Sequence, residues 1–242
     1  MEISIIAHVS GMTKSYGRIN AVREVSFTIR TGEILGVIGP NGAGKTTLLE
    51  CIAGLQAVDS GEVTFRDSRS TGHGRSAILF YVPDGIAPWP RQSVRWAMDF
   101  VLGFFGGRRD HFSEVIHDLE LDPLLRRTVG TLSKGQRKRV LLAIALLAPQ
   151  PVILIDEPFE GLDLKQSRGL EGTFRKHVSA GRTLVLSIHQ IADAARICDR
   201  FVLLNSGNLV AEGTLAELSQ AASSRLGHAP AQDFEEIFLA LT

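Results

Sequence analysis

Cysteine is nearly absent: only Cys51 and Cys198 occur in 242 residues, far apart and without metal-ligand spacing. That excludes a disulfide framework or a cysteine-built zinc site, and it fits a reducing cytoplasm. Net charge is missing as well, with Lys plus Arg and Asp plus Glu both at 26. Such neutrality argues against a nucleic-acid binder that works by bulk attraction, although a local basic patch is compatible with it. No long hydrophobic run exists. The longest, Val140 to Ala148, falls far short of the roughly 18 residues a spanning helix needs. The start, Met1-Glu2-Ile3-Ser4, has no basic stretch ahead of an apolar one, so no signal peptide is read there. What is present suffices for a packed core, with 44% of residues apolar and 21% charged, and 242 residues are enough for one large α/β domain or one domain with a modest insertion.

Residues 3–9 and 21–30 have strand character, and in the second Val25, Phe27 and Ile29 alternate with Ser26 and Thr28. Lys14 to Asn20 reads as a loop around Gly17. Glu33 to Ile38 is a short apolar run entering a glycine-rich turn, after which Leu48, Leu49 and Ile52 have helix-face spacing up to a stop at Gly54. Gly61–Phe65 and Ala77–Val82 read as strands joined by a polar connection. From about Pro88 to Leu125 the texture becomes aromatic and helical, with Trp89, Trp96, Phe100, Phe104 and Phe105, which suggests an inserted helical segment. Strands at 152–155, 183–188 and 201–204 then alternate with helices at 166–178 and 191–198. That alternation implies a mainly parallel sheet.

Gly39-Pro40-Asn41-Gly42-Ala43-Gly44-Lys45-Thr46 matches G-x-x-x-x-G-K-[ST]. Its glycines let backbone amides turn inward around phosphates, and the following helix adds its positive end. Lys45 is expected to reach the β- and γ-phosphates, and the Thr46 hydroxyl, beside Thr47, to ligate magnesium. An apolar strand before the loop and a helical pattern after it favour ATP binding over an ordinary glycine-rich turn. The run Val152-Ile153-Leu154-Ile155 ends in Asp156-Glu157-Pro158. Carboxylates at the C-terminal edge of such a strand face the crevice where ligands of open α/β sheets sit. Asp156 is the expected magnesium partner and Glu157 the base for the attacking water. Alone, such a pair is more often a solvated strand end; beside a complete phosphate loop it points to hydrolysis.

Leu132-Ser133-Lys134-Gly135-Gln136 opens another helical stretch, with Ser133 and Gln136 at capping-box spacing and Val140, Ile144 and Leu147 on one face. Placed shortly before Val152–Pro158, this segment resembles the signature motif of the nucleotide-binding subunits of ATP-binding cassette (ABC) transporters, with lysine at its third position. The resemblance runs almost from end to end. It implies a P-loop NTPase with a RecA-like, mainly parallel sheet, an N-terminal antiparallel β subdomain and an inserted α-helical subdomain. Residues 1–84 and 146–242 would form the core and 85–145 the helical subdomain. It also implies that two copies, or two related subunits, sandwich two Mg-ATP, with Ser133, Lys134, Gly135 and Gln136 of one closing on the γ-phosphate held by the other. Arg137, Lys138 and Arg139 are expected to form mostly a solvated basic face.

By the same resemblance Tyr16 stacks on adenine, Asp163 of Glu160-Gly161-Leu162-Asp163 touches the partner subunit, and His189 is the switch histidine that contacts the γ-phosphate. Read alone, a tyrosine in a loop is as readily structural and a lone histidine after a strand is usually structural, so the His189 assignment rests on the resemblance. The tail Phe234, Ile237, Phe238 and Leu241 is an amphipathic stripe suited to core packing, and it looks like the ending of cassette subunits of ABC-2 exporters. One departure stands out: the family normally has glutamine where this chain has Asp84, in Tyr81-Val82-Pro83-Asp84. An ionised carboxylate can meet magnesium but cannot donate a hydrogen bond, so Asp84 is expected to contact magnesium with ATP bound. The implied function is an ATPase on the cytoplasmic face of the cell membrane that powers a separate membrane permease, of exporter type by the tail resemblance, through the surface from Trp89 to Phe105. The alternatives are a cassette ATPase acting on nucleic acid or ribosomes, which neutrality and a single cassette disfavour, and a nucleotide-gated module with weak turnover.

Overall fold

The computed structural model describes residues 4–66, 74–107, 109–226 and 233–242; the strand start expected at Ile3 and much of the polar connection after Phe65 lie outside them. The chain opens with a long hairpin, β1 (Ile5–Tyr16) and β2 (Ile19–Arg30). Next come β3 (Ile34–Ile38), α1 (Lys45–Ala53), β4 (Ser60–Phe65), the short α2 (Gly74–Ile78) and β5 (Leu79–Val82). The helical segment contributes α3 (Val94–Phe105), α4 (Phe112–Asp118) and α5 (Lys134–Leu147), so α5 runs through residue 145 without a break. After it, β6 (Val152–Asp156), α6 (Leu164–Ser179), β7 (Thr183–Ile188), α7 (Ile191–Ile197), β8 (Arg200–Asn205) and β9 (Asn208–Gly213) complete the sheet, and α8 (Leu215–Leu226) and α9 (Phe234–Leu241) close the chain.

Nine strands form one sheet in the order β4-β1-β2-β9-β8-β3-β7-β6-β5. The antiparallel unit β4-β1-β2 joins the remainder through a single parallel pairing, Arg23 with Asn208, whereas β8, β3, β7, β6 and β5 are mutually parallel. This is the α/β architecture expected. Side-chain alternation explains why β3 and β6 read as unbroken apolar runs. Ile34, Ile38, Ile153 and Ile155 enter the core on the face of α5 and α6, while Leu35, Val37, Val152 and Leu154 enter the core beneath α1. The helical segment shares the first of these cores: Met98, Val101, Val140 and Ile144 are buried with Ile153 and Leu184. The tail stripe packs there too, with the Phe234 ring 4.5 Å from that of Phe201. Both cysteines are buried free thiols. Among the described residues no helix is long and apolar enough to cross a membrane.

Three local expectations need correction. Lys14–Asn20 is not a loop; the hairpin continues through it and only Gly17 and Arg18 turn, because Ser15 and Asn20 satisfy each other across the strands, Oγ donating to Oδ1 at 2.9 Å. Ala77 and Ile78 close α2 instead of opening a strand, since β5 has a partner only from Leu79, opposite Val152. β9 was not anticipated: Ser206 and Gly207, both at positive φ, form a two-residue hairpin turn after β8.

Candidate functional site

β3 delivers the chain into the glycine-rich loop, and α1 leaves it at Lys45. Gly44 sits at φ 101°, and a Cβ there would lie 2.1 Å from the carbonyl oxygen of Ala21, so only glycine fits. It caps α1 without a side-chain acceptor, which leaves first-turn amides for an anion at the positive end of the helix. Lys45 is buried; its ammonium donates to the carbonyls of Gly39 at 2.9 Å and Pro40 at 3.2 Å and lies 3.6 Å from Glu157 Oε1.

β6 brings Asp156 to the same crevice, where its Oδ2 accepts from the Thr46 hydroxyl at 2.8 Å. Its Oδ1 accepts from the hydroxyl of Ser187, the residue opposite it in β7, and that hydroxyl in turn accepts the Glu157 amide at 3.0 Å. Ser187 was not singled out from the sequence, although a hydroxyl inside the buried strand Thr183–Ile188 needs a partner. Glu157 adopts φ 49°, a conformation that costs a non-glycine residue free energy and clusters at functional sites. Its Oε2 lies 2.6 Å from Nδ1 of His189.

A crevice of about 900 Å³ gathers Tyr16, Asn41, Gly42, Gly44, Lys45, Thr46, Thr47, Asp84, Asp156, Glu157 and His189. Tyr16 is 45% exposed and Ile19 nearby is 70% exposed, a half-open apolar shelf at one end. Arg18, Arg23 and Glu160 also line it, unforeseen from the sequence. Among the described residues no three His, Cys, Asp or Glu side chains converge as a metal cage. The donors present, a hydroxyl and carboxylate oxygens, still fit magnesium, which keeps waters and takes one or two carboxylates with substrate phosphates.

Ser133, Lys134, Gly135, Gln136 and Asp163 do not line this crevice. Ser133 caps α5, accepting the Gln136 amide at 3.3 Å while Gln136 Oε1 accepts the Ser133 amide at 3.1 Å. Gly135 passes so close to Gly161 that a Cβ would lie 2.3 Å from its carbonyl oxygen. Lys134 pairs with Glu160, and Asp163 caps α6, accepting the Gln166 amide at 2.8 Å. The basic run after them is not a solvated face. Lys138 is buried and donates to Asp84 Oδ1 at 2.6 Å and to the Asp156 carbonyl at 3.1 Å, while Arg139 donates to the carbonyl of Leu119 at 3.0 Å. A buried ammonium needs such partners, and charge in the sequence does not reveal them. Burial would raise the Asp84 carboxyl, but the hydrogen bond and charge of Lys138 outweigh it and hold the group below its usual range.

On α3, Trp96, Phe100 and Phe104 stack at four-residue spacing, with centroids 5.2 and 6.0 Å apart, and stay 40%, 42% and 71% exposed. Phe100 and Phe104, with Trp89, Phe105 and Ile144, border an apolar groove of about 330 Å³.

The chain matches the family model described as ABC transporter over residues 22–160. It is 34% identical over 224 residues to the sulfate/thiosulfate import ATP-binding protein CysA 2 of Agrobacterium fabrum, a match covering 89% of this chain and 66% of that protein, just under two thirds of its length. It is 28% identical over 224 residues to the SkfA peptide export ATP-binding protein SkfE of Bacillus subtilis, covering 91% of this chain and 94% of that one. Among solved structures it superposes on an ATP-binding subunit of an ABC transporter with TM-score 0.87 and 25% identity, over 98% of this chain and 99% of that one.

Proposed function

The chain belongs to the ABC transporter family and carries its ATP-binding domain, and from that premise we propose that it hydrolyses ATP in a closed pair of such domains to drive a separate membrane permease. ATP-binding subunits of this family are ATPases. The observation that carries the reading is the convergence of Lys45, Glu157 and His189 over the loop that cradles phosphates: Glu157 lies 3.6 Å from the lysine and 2.6 Å from the histidine.

Lys45, with the amides at the start of α1, balances the charge of the terminal phosphates. Tyr16 offers a face for the base. Glu157 takes the proton of the attacking water, and His189 fixes the carboxylate that does so. Thr46 and Asp156 would hold magnesium, which draws charge from the phosphates when bound. Asp84 is a further oxygen donor, engaged with ATP present.

Closure by a second copy, or a related subunit, brings Ser133, Lys134, Gly135 and Gln136 to the γ-phosphate, with Asp163 at the shared edge. Supporting this, α5 begins with a capped helix start outside the subunit's own crevice. The helical segment 85–145 transmits the movement, and its aromatic groove takes the permease, since an exposed apolar patch of this kind marks an interaction site. The subunit then works on the cytoplasmic face of the membrane. Export is supported by the tail Phe234–Leu241 and by the resemblance to SkfE; the import relatives make the co-purifying permease the deciding measurement. Weak-turnover gating keeps one supporting observation, the engagement of Asp84 by Lys138. Phosphate release on adding magnesium and ATP, lost in Glu157→Gln, tests hydrolysis; its absence in the wild-type protein would favour gating.

A further inference from the structure

One buried cation has no part in the chemistry above. Lys138 stands on α5 one turn after Lys134, and it is 3% exposed. Its ammonium touches two elements of the nucleotide-binding core: Asp84 Oδ1, in the segment after β5, at 2.6 Å, and the Asp156 carbonyl, at the end of β6, at 3.1 Å. A buried lysine is tolerated only when its charge is paired and its protons are bonded, so these two acceptors fix where the side chain lies. Lys134, one turn earlier and exposed, pairs with Glu160.

The pair also stands at a junction. Asp84 lines the nucleotide crevice. With Lys138, Ile86 and Leu141 it lines a smaller cavity of about 190 Å³, and Ile86 and Leu141 line the apolar groove as well. No other side chain both lines the crevice and makes an ion pair to a buried residue of α5 among the described residues. Electrostatics adds a second reason for the lysine. Asp84 brings a carboxylate close to Asp156, Glu157 and the triphosphate, and an adjacent ammonium removes that repulsion where water screens it poorly. Lys138 binds Oδ1 of Asp84, the carboxylate oxygen whose position it fixes.

We propose that Lys138 is a positioning residue: it locks the helix that carries the Ser133–Gln136 segment to the strand end bearing Asp156 and Glu157, and it sets the carboxylate of Asp84. Movement of the helical segment reaches the hydrolytic site through this lysine. The inference rests on the nucleotide-site assignment above.

The test uses the full chain, with ATP turnover and amide hydrogen exchange measured side by side. Lys138→Gln is expected to lower kcat about tenfold while KM for ATP moves less than about threefold, because the nucleotide contacts stay and the alignment goes. Exchange at the first turns of α5 should quicken in the nucleotide-free protein. Adding Asp84→Gln, which gives a neutral amide pair, should restore kcat to within about threefold of Asp84→Gln alone and slow the exchange again. A kcat within about twofold of wild type in Lys138→Gln, or a double variant equal to the product of the two single losses, overturns the proposal. Should Lys138→Gln not fold, Asp84→Asn must quicken α5 exchange by itself; unchanged exchange there overturns it too. Absence of turnover in the wild-type chain would count against hydrolysis, while the exchange measurements would still decide the role of Lys138.

Discussion

Oε2 of Glu157 and Nδ1 of His189 lie 2.6 Å apart across the mouth of the crevice, the glutamate on the turn after β6 and the histidine on the turn after β7. The strands are adjacent and in parallel register, so neighbouring strand ends bring the two groups together. The contact gives the carboxylate a fixed direction beside the ammonium of Lys45, 3.6 Å away. If Glu157 is the base of the proposed hydrolysis, Glu157→Gln keeps the shape and removes that base, so kcat should fall by about 10²–10⁴ with ATP binding retained. On the same reading His189→Ala leaves the Glu157 carboxylate but frees it, and a loss nearer 10² is expected. Single-turnover hydrolysis, with fluorescent-nucleotide binding as the companion measurement, separates the two; equal losses would mean that His189 does more than orient.

Ser187 links the two acids. Its hydroxyl donates to Asp156 and accepts the Glu157 amide, and it is buried. Ser187→Ala leaves both groups short of a partner, at about 1–3 kcal/mol for each unsatisfied group. If Asp156 holds magnesium as proposed, part of that reaches the metal, so magnesium-dependent ATP binding should weaken about tenfold, while binding measured with excess chelator stays the same. Titrating magnesium against a fixed ATP concentration checks this, and an unchanged midpoint would confine Ser187 to a structural role.

These two residues mark how far the sequence could be read. The phosphate loop and the Val152–Pro158 run were legible because each packs its chemistry into consecutive residues of one strand and turn. His189 was legible only through resemblance, since what sets it apart is the 2.6 Å approach to a residue 32 positions away. Ser187 and Lys138 were missed for the same reason. Their partners, Asp156 and Asp84, are near only once parallel strands and α5 are assembled, and a hydroxyl or a lysine carries no local mark of that. The turn at Ser206 and Gly207 is a different case. Its two-residue serine-glycine signal stood between apolar runs, and β9 could have been anticipated from it.

Phe104 is 71% exposed on α3 and stacks on Phe100. Little of its area is buried in the isolated chain, so Phe104→Asp should cost the fold less than about 0.5 kcal/mol. If the groove receives the permease, that charge must be desolvated on docking. Co-purification with the membrane partner should then drop at least about tenfold, with nucleotide affinity unchanged. Pull-down from detergent extracts, normalised to ATP binding, measures it. Full retention of the partner by Phe104→Asp and by Phe100→Asp would move the docking surface elsewhere.

His177, on α6, is held neutral: burial, with the charge of Arg182 adding to it, pushes its imidazole down from 6.5 to about 4. The unfolded chain therefore binds a proton between these values that the folded protein refuses, and stability must fall as pH falls through that window. Little is lost at pH 7. At pH 5 the unfolded ring is almost fully protonated and the folded ring is not, which removes about 2 kcal/mol. Below the folded value both states carry the proton and the loss levels off. His177→Gln has no group to protonate, so the stability difference between pH 7 and pH 5, read from urea unfolding, should shrink by about that amount relative to wild type. An identical difference in the variant would assign the acid sensitivity to the carboxylates, whose losses belong at lower pH.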